Sequence, residues 1–127
     1  MKLGYVILYV PDVAGAVEFY GRAFGLAHRF THKSGAYAEM ETGETALAFS
    51  SEAIANGLNT VPQRPGQRPP AFEVALVTDD VPGAVARATS AGAALVRGAE
   101  MKPWGQVVAY VRDLNGVLVE LCSPVEA

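Results

Sequence analysis

The 127-residue chain is half apolar and 18% charged, which fits a packed globular fold and excludes a disordered or coiled-coil chain. Its formal net charge of −3 removes the phosphate attraction on which nucleic-acid binders rely, so neither DNA nor RNA is an expected partner. No apolar run approaches the roughly 18 residues of a membrane span, and the opening MKLGYVILYVPD has too short an apolar stretch and no cleavage site for a leader, so no membrane partner and a cytoplasmic location are expected.

The first strand is expected in KLGYVILYV (Lys2 to Val10), rich in β-branched and aromatic residues, with Pro11 ending it. Asp12 follows as a helix N-cap, and Val13, Ala16, Val17, Tyr20 and Phe24 keep helical spacing up to a closing Gly25. LAHRFTHKSG, AYAEMETG and ETALAFSS read as three short strands, with turns at Ser34-Gly35 and Thr42-Gly43. SEAIANGLN suggests a helical turn. Thr60 to Pro70, rich in proline, glycine, glutamine and arginine, reads as a linker.

The order then repeats. AFEVALVTD is a strand, Asp80 caps a helix that runs through Ser90 to Gly92, and AALVRGAE, QVVAYVRD and VLVELCS are three further strands. Asn115-Gly116 predicts a two-residue type I′ hairpin, with Arg112-Asp113 bracing the turn. Asp12, Val13, Gly15, Ala16 and Val17 recur as Asp80, Val81, Gly83, Ala84 and Val85, a constant offset of 68 positions. A whole supersecondary unit is therefore duplicated, with module one at about 1–55, a linker at about 56–70 and module two at about 71–127. Gly15 and Gly83 inside the helices are expected to permit close helix-to-sheet approach.

Taken together, YVPDVAGAVEFYGRAFGL near the start and VRDLNGVLVEL near the end resemble the vicinal oxygen chelate superfamily of glyoxalase I, bleomycin-type resistance proteins, fosfomycin-modifying enzymes and extradiol dioxygenases. The resemblance spans essentially the whole chain. It implies an α+β fold in which two tandem β-α-β-β-β modules form a curved, eight-stranded, half-open barrel around a cleft, one small-molecule ligand site and a homodimer. It does not settle the chemistry, because one fold hosts several activities.

In metal-using members of that superfamily, four side chains from the first and last strands of the modules reach the centre. The resemblance maps them to Tyr5, Ala48 (or Leu47, if the hairpin is one residue shorter), Glu73 and Glu120. Two carboxylates and a phenol are a poor donor set for a transition metal, so no metal cofactor is expected; if a divalent ion is bound, Glu73 and Glu120 would hold it. His28 and His32, four residues apart on one strand, are expected on a common face as solvated edge residues.

Strand alternation places Tyr5, Ile7 and Tyr9 on the ligand face, with Glu73, Ala75 and Val77 and then Leu118, Glu120 and Cys122 in the second module. Tyr37, Phe49, Trp104 and Gln106 complete the expected ligand-binding set of Tyr5, Tyr9, Glu73 and Glu120, giving apolar walls with a few orienting polar groups. Glu73 beside Glu120 predicts that one carboxyl takes up a proton or recruits a cation. Cys122, the single cysteine, reads as packing rather than as a nucleophile. Two functions follow: metal-independent sequestration of an aromatic or cationic compound, or a metal-dependent glyoxalase- or dioxygenase-like enzyme working through Glu73 and Glu120.

Overall fold

A computed structural model describes residues 1–57 and 70–125. The chain divides into two compact units, Met1–Gln63 and Arg64–Ala127. Apart from Pro70, most of the stretch expected to be a linker lies outside the described residues.

The first unit runs β1 (Tyr5–Val10), α1 (Val13–Phe24), β2 (Ala27–Thr31), β3 (Tyr37–Glu41), β4 (Ala46–Ser51) and a short α2 (Glu52–Gly57). The second runs β5 (Val74–Val77), α3 (Val81–Ser90), β6 (Ala94–Met101), β7 (Val107–Arg112) and β8 (Leu118–Cys122). Each unit holds one four-stranded mixed sheet, ordered β1-β4-β3-β2 and β5-β8-β7-β6. The first strand pairs in parallel with the last, and the other neighbours are antiparallel. The α+β architecture of two tandem β-α-β-β-β modules is therefore present.

Each crossover from the first strand runs through a helix that covers one face of its sheet. In the first unit, α1 packs on β2, β3 and β4. Leu8 and Val10 of β1, Met40 of β3 and Leu47 and Phe49 of β4 meet Val13, Ala16, Phe19, Tyr20 and Ala23 of the helix, and all are buried. The Tyr20 and Phe49 rings lie 4.9 Å apart at 54°, a tilted pairing that suits their quadrupoles. In the second unit, Val81 and Ala88 of α3 serve the same layer as Ala109, Val111, Val119 and Leu121, again buried.

Both helices begin alike. Asp12 and Asp80 are extended (φ −137° and −134°), and their Oδ1 atoms accept from the backbone N–H of Gly15 at 3.0 Å and Gly83 at 2.9 Å. This corrects the expectation that the two glycines ease helix-to-sheet approach. A Cβ on Gly15 would stand 2.5 Å from Asp12 Oδ2, and one on Gly83 would stand 2.2 Å from Asp80 Oδ2. The glycines make room for the capping carboxylate. At the far end Gly25 adopts φ 70°, and the Leu26 N–H reaches back to the Tyr20 carbonyl at 3.4 Å, a Schellman-type ending.

Two local expectations also change, one in a turn and one in a strand. The β7–β8 connection is not centred on Asn115-Gly116: the Gly116 N–H bonds to the Asp113 carbonyl at 3.2 Å and the Asp113 N–H to the Val117 carbonyl at 3.0 Å, so the turn is centred on Leu114-Asn115 with Gly116 at φ 83°. Asp113 Oδ1 accepts from the N–H groups of Asn115 and Val117, and Arg112 bonds to the Gly116 carbonyl. That side-chain scaffold selects the longer loop. In β2, the register shifts between His28 and Phe30. The resulting bulge breaks the two-residue alternation, so His28 pairs with Met40 on the helix side while His32 sits across from Tyr37, and the two histidines do not share a face.

Replacing Gly83 with alanine in an ordinary helix interior would add about 1 kcal/mol of stability. Here the new methyl displaces the cap, and urea unfolding is expected to show Gly83→Ala destabilised by about 1 kcal/mol, close to the loss in Asp80→Ala.

Candidate functional site

The helices leave the other face of each sheet free of helix; on this open face Ala48, Ser50 and Glu39 of the first unit and Val108 and Cys122 of the second are nevertheless buried. In the second unit, pairing of Ala75 with Glu120 and of Glu120 with Tyr110 puts these three residues side by side across β5, β8 and β7. Glu73 stands just ahead of β5 and shares the parity of Ala75. The Tyr110 hydroxyl donates to Glu120 Oε1 at 3.0 Å. Glu73 keeps contact with solvent, yet its pKa is raised, first by partial burial of the carboxyl, then by the negative Glu120 beside it and a hydrogen bond between the two. A hydrogen bond between two carboxyls needs a proton, so Glu73 takes one up more readily than an isolated glutamate does.

Burial, followed by the bond to Glu120, pushes the Tyr110 phenol up to about 12. Cys122, 2% exposed and on the same face, is pushed up to about 11 for the same reasons in the same order. Both stay protonated at neutral pH. The Cys122 thiol lies 3.8 Å from the Leu76 carbonyl, which agrees with a packing role.

The first unit presents a different set. Tyr5, Ile7 and Tyr9 of β1 lie opposite Ala46, Ala48 and Ser50 of β4, and Glu39 and Tyr37 of β3 continue these rows beyond Ala48 and Ser50. Register with Ile7 therefore selects Ala48, not the helix-side Leu47, as the counterpart of Glu120. The Tyr37 hydroxyl donates to Glu39 Oε2 at 2.7 Å, and Arg29 Nη1 donates to Glu39 Oε1 at 3.3 Å. Arg29 grips Glu41 more closely, at 2.8 and 2.7 Å, and also bonds to the Gly43 carbonyl. Burial and Glu39 raise Tyr37 to about 12, and the neighbouring Tyr5 phenol adds to the shift. The bond from Arg29 lowers the Glu41 pKa.

Of the expected ligand set, Tyr5, Tyr9, Tyr37, Glu73 and Glu120 fall on open faces. Phe49 does not. It is fully buried against Tyr20, because it adjoins Ala48 along β4 and successive residues face opposite ways. Trp104 and Gln106 belong to the β6–β7 turn. Trp104 is 64% exposed, its indole N–H donates to Gln106 Oε1 at 2.8 Å, and Gln106 Nε2 donates to the Ser123 carbonyl at 2.9 Å, so this amide braces the turn.

Arg29, Glu39 and Tyr110 were absent from the sequence expectation. Glu39 lies two residues beyond Tyr37 and inherits its face, and Tyr110 lies opposite Glu120 across the hairpin, so both had a signal in the spacing. Arg29 had none, because the bulge that presents it depends on the partner strand.

The donors present do not suit a catalytic transition metal. Among the described residues no group of three or more His, Cys, Asp and Glu side chains comes together. The Glu73–Glu120 pair supplies two carboxyls, fewer than the three protein donors of an ordinary catalytic transition-metal site.

A family model for the Glyoxalase/Bleomycin resistance protein/Dioxygenase superfamily matches residues 2–121. The chain belongs to this superfamily. Among solved structures, a glyoxalase/bleomycin resistance protein/dioxygenase family enzyme from Burkholderia phytofirmans PsJN superposes with a TM-score of 0.83 at 18% identity, covering 99% of this chain and 100% of that one. A glyoxalase-related enzyme from Fulvimarina pelagi gives 0.80 at 23% identity, over 97% and 88%. TioX from Micromonospora sp. ML1 gives 0.70 at 24%, over 97% and 98%. At these identities the likeness shows the superfamily fold and not a shared activity. No curated protein matches the chain.

A carboxyl whose pKa rises on folding supports the fold while protonated and weakens it as pH climbs from the unfolded value toward the folded one. Glu73→Gln mimics the protonated group, so urea unfolding is expected to show the variant equal to the wild type at about pH 4 and more stable at about pH 7. Carbon-detected NMR titration is expected to place the Glu73 midpoint above the ordinary glutamate range, with Glu120→Gln lowering it only part of the way because burial remains. Native Cys122 is expected to resist iodoacetamide at about pH 8, where only a small thiolate fraction exists, and to react once urea is added.

Proposed function

We propose that this superfamily member is a metal-independent binding protein that sequesters an aromatic or cationic small molecule, acting as a homodimer in the cytoplasm. The observation that carries this reading is the Glu73–Glu120 pair on an open, partly apolar sheet face, with Tyr110 as the nearest polar neighbour and no imidazole in the cluster. Such a pair takes up a proton more readily than a lone carboxyl does. An arriving ammonium or other hydrogen-bond donor replaces that proton and satisfies both carboxylates. The tyrosines of the first sheet offer flat apolar surface with a polar tip, a composition suited to aromatic rings.

No described helix is long and apolar enough to cross a membrane. The homodimer reading is supported by the edge strand β6, whose every residue is exposed, Leu95, Val96 and Met101 among them. Exposed apolar edges of this kind are commonly covered by a partner.

Thermal-shift screening of metal-stripped protein against polycyclic and cationic compounds is expected to find stabilisers. Their effect should weaken in Glu73→Gln and Glu120→Gln and survive added chelator. Stabilisation that vanishes with chelator and returns with nickel, zinc, manganese or ferrous iron would overturn the reading in favour of a metal-dependent enzyme.

A further inference from the structure

Glu39 is the one glutamate among the described residues that is buried, at 7% exposure. A buried carboxylate needs its charge balanced by a partner. Its nearest cation, Arg29, is already committed: Arg29 forms a two-pronged pair with Glu41 at 2.7 and 2.8 Å and reaches Glu39 with a single 3.3 Å contact. One guanidinium thus serves two carboxylates, and the trio sums to one negative charge. The Tyr37 hydroxyl donates to Oε2 but carries no positive charge of its own. A carboxylate has about four lone-pair sites, and these contacts fill two of them.

The surroundings of that unbalanced charge are apolar and aromatic. Across the sheet, Ile7, Ala48, Glu39 and Phe30 form one row. Ala48 supplies only a methyl beside the carboxylate. The Phe30 ring stands 6.1 Å from that of Tyr37, and Tyr5, Ile7 and Phe30 are 57%, 44% and 42% exposed. Exposed apolar side chains around an incompletely neutralised anion match a ligand with a flat apolar body and one positive end, since aromatic faces attract cations as well as rings.

We propose that Glu39 is the specificity-determining anion of the first sheet's open face, accepting the ammonium group of an aromatic amine whose ring lies against Phe30 and Tyr37. Arg29 is a positioning residue. By holding Glu41 it keeps the second carboxylate away, and its long contact leaves Glu39 able to accept from a ligand. This rests on the reading that the open faces bind small molecules, but it assigns the charge recognition of the first unit to a residue outside the Glu73–Glu120 pair.

The test is titration of the full chain with benzylamine, followed through the ring signals of carbon-13-labelled tyrosine, with benzyl alcohol as an uncharged ligand of the same shape. Saturable shifts at Tyr37 are expected with benzylamine, with affinity reduced about tenfold for benzyl alcohol and about tenfold in Glu39→Gln, the scale of one charge-assisted contact. Glu44→Gln, at an exposed carboxylate in the β3–β4 connection, should bind benzylamine as the wild type does. The benzyl alcohol comparison needs no variant and so does not depend on how Glu39→Gln folds. Equal affinity for amine and alcohol, unchanged affinity in Glu39→Gln, or no saturation would each overturn the proposal. Benzylamine affinity that falls in Glu73→Gln or Glu120→Gln but not in Glu39→Gln would overturn it while leaving the sequestration reading intact.

Discussion

Parallel pairing of the first strand of each unit with its last is the constraint from which the remaining features follow. A parallel pair cannot be joined by a tight turn, so the chain must leave the sheet, and α1 and α3 make that crossing over one face. Once a helix covers one face, strand alternation decides the fate of every side chain. Leu8, Phe49, Val119 and Leu121 enter the helix-covered layer and are buried, whereas Tyr5, Ala48, Glu73 and Glu120 are turned to the opposite side. A single-residue slip in β1–β4 pairing would exchange Ala48 for Phe49 and expose the largest aromatic contact of the first core. The packing of Phe49 on Tyr20 therefore holds the register that defines the open face.

On that face, the chemistry is set by which carboxylate has a cation beside it. Glu41 has Arg29 in a two-pronged grip. Glu120 has the neutral Tyr110 hydroxyl as donor and, beside it, Glu73, whose pKa is raised by burial and by the Glu120 charge. In the second unit crowding of the carboxyls raises the Glu73 pKa, and in the first a guanidinium is shared between two of them. Neither arrangement brings a third acidic or imidazole donor to its carboxyl pair among the described residues.

How much of this was legible in the sequence depended on how local each feature is. Helix caps at Asp12 and Asp80, the Gly25 ending and the parity of β1 are decided within a few residues, and the 68-residue offset made the duplicated unit visible without coordinates. The β2 bulge was not legible, because its extra residue is defined only against β3. With it went the expectation about His28 and His32, and with it came Arg29. Phe49 was misplaced although alternation from Ala48 already assigns it to the core. Glu39 was overlooked although alternation from Tyr37 already assigns it to the face. Those two were matters of applying the period consistently, whereas the Asp113-braced turn needed the side-chain bonds that make three residues preferable to two.

The two units preserve what builds the sheet and differ in what the sheet displays. Each helix start repeats the same Asp-to-Gly contact to within a tenth of an ångström, 3.0 Å in one and 2.9 Å in the other. At the matching level of the open faces, the pair on the last two strands is Glu39 with Ala48 in the first unit and Tyr110 with Glu120 in the second. The carboxylate has moved by one strand, from β3 to the counterpart of β4, whereas its hydroxyl donor keeps the corresponding strand, Tyr37 on β3 and Tyr110 on β7. Displacement by one strand shifts the charge by about 4.8 Å, more than the reach of one hydrogen bond. The carboxylates therefore stand at different places on two otherwise equivalent sheets. That divergence sits on scaffolds held constant by matching caps, so the displayed groups can vary where no core residue is touched while the register stays fixed.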